Sequence, residues 1–439
     1  MARRRHVIVG GGTAGLNAIT TIREQDAGAS EIALVSAEPP YSRMVLPYFL
    51  GRRIAESHVF TATPARLEAL RVQPYLGRKA QSLDATARRL TLDDGTVLDY
   101  DDLLIATGSS AIRAPVPGAD GRGLHSFWTL EQARRVVAEI APGSRVILVG
   151  AGFIAFTILN AILDLEARLT IVEIAPQILP RMIDRTGAEM VEGWLRRHGV
   201  EIHTGVTLTG IEESPEGKRL RFQRGEDLLA DVVIMATGIR PNLEWLAGSG
   251  VAVNRGVLVD DHLRSSVPTI YAAGDVAEGR DLVTGEPALH AIEPTAMEHG
   301  RIAGANMAGD DVAYRGSLLM NIVEVRGLEI ASFGAWEAQT GETSAMLRPE
   351  RSAYRKLVWD GDRLIGAMIV GKTNDIWTTN DVGMLKGLVQ SGKRLGPWKA
   401  HLHRNPFDLK RAFVASGTTA SLLPRTLLGR PSIPAEQIP

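Results

Sequence analysis

The 439-residue chain contains no cysteine. That absence removes disulfides, thiolate-bound iron–sulfur clusters, cysteine zinc sites and cysteine nucleophiles. Any redox chemistry must rest on a bound organic cofactor. With no disulfides to form, the cytoplasm is the default compartment. An excess of charge is also missing: 49 Lys and Arg stand against 50 Asp and Glu, for a net charge of -1. This balance gives no support to nucleic acid or an anionic membrane as the main partner. No uninterrupted apolar run reaches the roughly 18 residues of a membrane span. The basic opening "MARRRH" leads into an apolar run that "GGG" interrupts, so it reads as the approach to a strand and not a signal peptide. At 47.4 kDa the chain exceeds one ordinary core, and two or three domains are expected.

What is present is a nucleotide-binding pattern, twice. "HVIVGGGTAGLNAITTIRE" is a short strand, then Gly10-Gly11-Gly12-Thr13-Ala14-Gly15, then a helical run. Gly10 permits the tight turn, Gly12 lets backbone N–H groups approach a pyrophosphate, and Gly15 allows close helix–strand packing. The next strand, "EIALVSAE", is followed by Glu38, an acid suited to ribose hydroxyls. The pattern recurs in "SRVILVGAGFIAFTILNAILDLEARLTIVE", with Gly150-Ala151-Gly152-Phe153-Ile154-Ala155 and then Glu173. Alanine is an allowed third small residue. A carboxylate at Glu173 would accept from a ribose 2′-hydroxyl and repel a 2′-phosphate, which favours NADH over NADPH.

Three further segments tie the halves together. Two strands end in the same triplet, Ala106-Thr107-Gly108 and Ala236-Thr237-Gly238. A third is followed by Gly274-Asp275, where a carboxylate could accept from a ribityl hydroxyl.

Together these motifs resemble the two-dinucleotide-binding-domain flavoproteins, the pyridine nucleotide–disulfide reductase superfamily. The resemblance implies an α/β fold with two Rossmann-like domains. A split FAD domain (about 1–113 and 236–312) would be interrupted by an NAD domain (114–235). A C-terminal α+β interface domain (313–410) and a tail (411–439) would follow, with a homodimer formed through the C-terminal domain. Gly10, Gly12, Thr13, Ala14, Gly15, Glu38, Ala106, Thr107, Gly108, Gly274 and Asp275 would serve FAD. Gly150, Gly152, Phe153, Ile154, Glu173 and Gly238 would serve NADH. Pro294 opens the helix "IEPTAMEHGRIAGANMAG", which reads as amphipathic and in the family points its N-terminus at the flavin. Its neighbours His290, Glu293 and Glu298 are titratable groups that could protonate the flavin, with a solvated helix face the favoured expectation.

Two departures sharpen the reading. Thr157 stands where the family often carries a glutamate beside the nicotinamide. The change bears on nicotinamide placement and hydride-transfer rate, not on adenosine binding. In "PYSRMVLPYFLG", Met44 occupies the redox-cysteine position of coenzyme A disulfide reductases and NADH peroxidases. A thioether cannot become a nucleophilic thiolate. The same stretch resembles the "PYxRPPLSK" of ferredoxin reductases, with Arg43 matching the arginine and Tyr48 replacing the lysine. Arg43 is therefore a candidate for the FAD phosphates.

The expected function is transfer of hydride from NADH to FAD, then of electrons to an external carrier such as a ferredoxin or rubredoxin. An NADH oxidase or quinone reductase with a small-molecule acceptor is one alternative, and a non-catalytic FAD-bearing subunit of a redox assembly another. No catalytic side chain and no metal site is singled out. His401 and His403 lack further ligands. The basic residues Lys399, Arg404, Lys410, Arg411, Arg425 and Arg430 form either a docking surface for an acidic partner or, equally, a packing surface on a neighbouring subunit.

Overall fold

Consecutive aliphatic residues, and not alternating ones, form the strands "RHVIV" and "RVILV". Such runs suit parallel strands covered on both faces. In a computed structural model, which describes residues 3–121, 123–337 and 341–418, each run lies at the centre of a five-stranded parallel sheet. The first sheet runs Ile270–Ala272, Asp102–Ile105, Arg5–Val9, Glu31–Ser36, Val72–Leu76. The second runs Glu201–Thr204, Arg168–Glu173, Arg145–Val149, Val232–Met235, Leu124–Ser126. The expected α/β class with two Rossmann-like units is what the chain adopts.

The first sheet gains its edge strand, Ile270–Ala272, only after the whole second sheet has been built. Between the sheets the chain crosses twice, and the crossings pair antiparallel, Ser109–Ala111 against Ile239–Pro241. Asn242 fastens them. Its side-chain amide donates to the Thr107 carbonyl at 2.9 Å, and its backbone N–H donates to Gly108 at 3.0 Å. In return Thr107 Oγ1 donates to the Asn242 carbonyl at 3.1 Å.

The helix Glu293–Met307 then returns to the first sheet and lies against the helix Thr13–Asp26. Small residues set this contact. A Cβ on Gly300 would stand 2.3 Å from the Ala14 carbonyl oxygen, and one on Gly304 would stand 2.6 Å from that of Ala18. The expected solvated face is corrected here. Thr295, Ala296, His299, Gly300 and every residue from Ile302 to Met307 are buried. His290 is buried too, with Nε2 2.9 Å from Asp281. Glu298 is half-buried, and burial pushes its carboxyl pKa up. The amphipathic reading failed because glycine and alanine, which carry little hydrophobicity, do the packing.

The third sheet is antiparallel, in the order Met320–Val325, Leu328–Gly334, Arg363–Lys372, Ala353–Asp360, Glu342–Arg348. Its first strand meets the helix Phe153–Asp164 of the second sheet. There Asn160 donates to the Glu324 carbonyl at 3.0 Å, and Arg326 pairs with Asp164 at 2.8 Å. At the opposite edge, the helix Pro397–Arg404 packs on Glu342–Arg348. Lys399 is paired there with Glu342, and Arg411 lies 3.6 Å from Asp408. His401 engages Asp408 and His403 engages Ser344, so the two imidazoles serve separate contacts. Arg425 and Arg430 lie outside the described residues. Among the described residues, no helix is long and apolar enough to cross a membrane.

The helix contact yields a test. Alanine normally gains about 1 kcal/mol over glycine inside a helix. At Gly300 the added methyl meets a backbone carbonyl, and overpacking of that kind costs about 1–3 kcal/mol. Gly300→Ala is therefore expected to lower the urea midpoint of the apoprotein. An unchanged or raised midpoint would show that the helices can separate freely.

Candidate functional site

Both glycine loops are built alike. Gly10 has φ +123° and Gly150 has φ +100°. A Cβ at Gly10 would lie 2.0 Å from the Ala106 carbonyl oxygen, and one at Gly150 would lie 2.5 Å from that of Ala236. Each triplet thus presses its alanine carbonyl against the first glycine of a loop, which explains why the two motifs travel together. Gly15 sits so close to the strand that a Cβ would fall 2.0 Å from the Gly10 carbonyl. At the second loop Ala155 fills this position and is fully buried.

Gly12 and Gly152 differ in kind from these. Each N-caps its helix with no side-chain hydrogen bond, and a Cβ on either would meet nothing within 4 Å. Packing therefore does not demand glycine there. The requirement is met by a group that approaches the backbone from outside, and orphan N–H groups at a helix N-terminus favour an anion. Thr13 and Ala14 form the first turn behind Gly12, and Phe153 and Ile154 the first turn behind Gly152. The cradles thus fit the pyrophosphates of FAD and of a nicotinamide dinucleotide. When bound, these would supply hydride transfer and the release of electrons singly or in pairs.

The two acids are not equivalent. Gly10 N–H donates to Val35 and Gly150 N–H donates to Val172, each at 2.8 Å. This register aligns Glu173 with Ser36, and Glu38 falls two residues further on. Glu38 is half-buried, and Oε2 accepts from the Tyr41 hydroxyl at 2.9 Å. Glu173 ends its strand, buried beneath the glycine loop. One of its oxygens accepts from Ala151 N–H at 2.6 Å and the other from Ala175 N–H at 2.7 Å. Each oxygen keeps a second lone pair for a ribose hydroxyl.

Around the first cradle, groups distant in sequence converge. Gly274, at φ +78°, would bring a Cβ within 3.2 Å of the Ala14 methyl. Its N–H donates to His299 Nδ1 at 3.3 Å, and burial holds that imidazole neutral by pushing its pKa down to about 3. Thr13 Oγ1 donates to Glu293 at 3.2 Å, which joins the first loop to the helix that Pro294 opens. Asp275 accepts from Ser109 Oγ at 2.6 Å. Burial raises its carboxyl pKa, partly offset by the Ser109 hydrogen bond and the Arg43 charge. Arg43 donates to the Ser109 carbonyl at 3.2 Å and lies 3.9 Å from Glu38. The triplet Ala106-Thr107-Gly108 leads directly into Ser109, and Gly238, at φ +124°, accepts from Ile112 N–H on the facing crossing strand.

Met44 and Tyr48 are each 51% exposed, whereas Leu46 and Leu50 between and beyond them are buried. This short segment packs on the helices Leu130–Glu139 and Phe153–Asp164. Thr157 turns inward on its own helix and donates to the Ile154 carbonyl at 2.7 Å.

Tyr41, Ser109, Asn242 and His299 belong to these networks. Tyr41 falls in the "PYSR" stretch and Asn242 in the "RPN" after the second triplet, whereas no motif marks Ser109 or His299.

Two parallel-sheet nucleotide cradles with a crossing pair of strands define a two-dinucleotide α/β oxidoreductase. A family profile described as pyridine nucleotide-disulphide oxidoreductase matches residues 4–300, and the chain belongs to that family. FAD and a nicotinamide dinucleotide are its cofactors, and the chain is an NAD(P)H-dependent flavoprotein oxidoreductase. Among relatives, the NADH-dependent phenylglyoxylate dehydrogenase subunit epsilon of Aromatoleum evansii is 29% identical over 418 residues, covering 94% of this chain and 97% of that one. The rubredoxin-NAD(+) reductase of Pseudomonas putida is 30% identical over 69% of this chain and 80% of its own. Among solved structures, an NAD-dependent persulfide reductase from A. fulgidus superimposes with a TM-score of 0.84 at 26% identity, over 95% of this chain and 83% of that one.

The raised pKa of Asp275 has a signed consequence. Ionising a carboxyl whose folded pKa is raised costs stability, and the loss grows as pH rises through that pKa. Asp275→Asn is therefore expected to raise the melting temperature of the apoprotein near neutral pH. The gain should shrink as pH falls toward the ordinary carboxylate range of about 4. A melting temperature that stays at or below wild type at neutral pH would overturn the assignment.

Proposed function

We propose that the chain takes hydride from NADH onto FAD and gives the electrons to an acceptor outside itself, a one-electron protein carrier. The observation that carries this reading is the segment around Met44. It is anchored through the buried Leu46 and Leu50, and it exposes Met44, where the resemblance places a redox cysteine, as a thioether that cannot form a thiolate. No thiol exists elsewhere in the chain to hold the electrons.

In this reading Gly10, Gly12, Thr13, Ala14, Gly15 and Arg43 hold the FAD phosphates, and Glu38 takes the adenosine ribose. The triplet 106–108, Gly274 and Asp275 take the ribityl side, while the helix opened by Pro294 faces the flavin. Gly150, Gly152, Phe153, Ile154, Glu173 and Gly238 hold NADH. The similarity to the rubredoxin reductase supports a small carrier as acceptor. A second reading, a flavin-bearing subunit within a larger redox assembly, is favoured by near full-length similarity to the subunit epsilon. In that second reading the FAD is structural and is not reduced by NADH.

Anaerobic mixing with NADH should bleach the visible flavin absorption within a turnover, and a cognate carrier should then reoxidise the flavin faster than oxygen does. Faster reoxidation by oxygen would replace the reductase with an oxidase. A flavin that stays oxidised would leave only the structural-subunit reading.

NADH should be preferred over NADPH. Like charges about 4 Å apart at an effective dielectric near 20 repel by about 4 kcal/mol, and solvent reduces that. A kcat/KM at least roughly tenfold higher for NADH is expected, since about 1.4 kcal/mol suffices for that factor. Equal values for the two nucleotides would remove Glu173 from its role.

A further inference from the structure

One side chain near the first cradle is used by no motif, yet touches two of the groups that define it. Trp128 precedes the helix Leu130–Glu139, at the edge of the second sheet. Its backbone is fixed by the helix cap. The Gln132 side chain accepts from Trp128 N–H at 2.8 Å and from Thr129 N–H at 3.1 Å, and Thr129 caps Gln132 N–H in return. With the backbone held, the indole Nε1–H donates to the Ser109 carbonyl at 2.6 Å. The indole ring lies under the Arg43 guanidinium, 5.2 Å from ring centroid to Cζ. Arg43 donates to the same Ser109 carbonyl, and the Ser109 hydroxyl donates to Asp275. The next helical residue completes a second line: Leu130 N–H donates to the Tyr41 hydroxyl at 3.0 Å, and Tyr41 donates to Glu38.

We propose that Trp128 is a positioning residue for FAD binding. Its indole sets the plane of the Arg43 guanidinium, which lies over the ring and donates to the same Ser109 carbonyl as the indole N–H. A guanidinium is a flat fork of donors, so its value to a phosphate depends on orientation as well as charge. Arg43 is 39% exposed, and without the indole face and the shared carbonyl it would sample many rotamers. Cation–π contact and the carbonyl hydrogen bond remove that freedom before the ligand arrives. The proposal rests on the reading that the first cradle takes FAD.

The test is FAD affinity of the apoprotein, followed by quenching of flavin fluorescence. Trp128→Phe keeps a ring face and loses the N–H donor, and should raise the FAD Kd about threefold to tenfold, the range of one neutral hydrogen bond. Trp128→Ala loses both contacts and should raise it roughly tenfold or more. The decisive measurement is the double variant. If Trp128 acts through Arg43, Arg43→Ala with Trp128→Ala should bind FAD within about twofold of Arg43→Ala alone. Multiplying effects would make the residues independent and overturn the proposal, as would an unchanged Kd in Trp128→Ala. Melting temperatures matched to wild type establish that a loss is local. If Trp128→Ala does not fold, Trp128→Phe, alone and combined with Arg43→Ala, carries the same comparison. A wild-type apoprotein that binds no FAD would overturn the cradle reading itself, and this inference with it.

Discussion

The contact between the helices Thr13–Asp26 and Glu293–Met307 holds the molecule's first cradle together. Backbone meets backbone there because Gly300 and Gly304 have no side chain to stand in the way of Ala14 and Ala18. The two helices belong to opposite ends of a long excursion in which the second sheet is made. The strand Ile270–Ala272 sets Gly274 and Asp275 beside the first glycine loop, and the later helix packs against them. The Thr13–Glu293 hydrogen bond follows from that packing, and the close approach of Gly274 to Ala14 from that placement. Closing so long a loop is entropically unfavourable, and it is offset by a buried interface of small residues with little side-chain entropy to lose.

The parts of this arrangement that lie within a few residues of one another were legible in the sequence. Both glycine loops, the repeated Ala-Thr-Gly ending and the Gly-Asp pair could be read because each obeys a local backbone constraint. The partners of Tyr41, Ser109 and Trp128 could not. Their hydrogen bonds run to Leu130, Asp275 and Ser109, and those separations are fixed only by tertiary structure. The two acids looked alike from spacing, but the strand register sets them two residues apart. The buried face of the helix Glu293–Met307 was missed for a different reason. Hydrophobic periodicity counts large side chains, and this interface is made by their absence.

The seam between the second and third sheets adds a further constraint. The Met44 segment rests on the helix Phe153–Asp164, and the same helix meets the strand Met320–Val325 through Asn160 and Asp164. Arg53 also reaches Asp164 from the Met44 side. One carboxylate thus receives an arginine from each neighbouring unit. The segment that carries exposed Met44 and Tyr48 thus packs on the helix that covers the Met320–Val325 edge of the third sheet, while the helix Pro397–Arg404 packs on the other edge strand.

Glu173 carries a consequence for redesign of nucleotide preference. A surface acid that only discriminates against phosphate can be exchanged for a neutral or basic residue with little other effect. Here the carboxylate is also the acceptor for two backbone amides, one inside the glycine loop and one beyond the strand end. Removing it strands the buried Ala151 N–H, at a cost of about 1–3 kcal/mol, and leaves the half-buried Ala175 N–H without its acceptor. If Glu173 holds the ribose as proposed, conversion to NADPH requires a replacement acceptor for those amides alongside any new cation, so specificity and loop shape must be altered together.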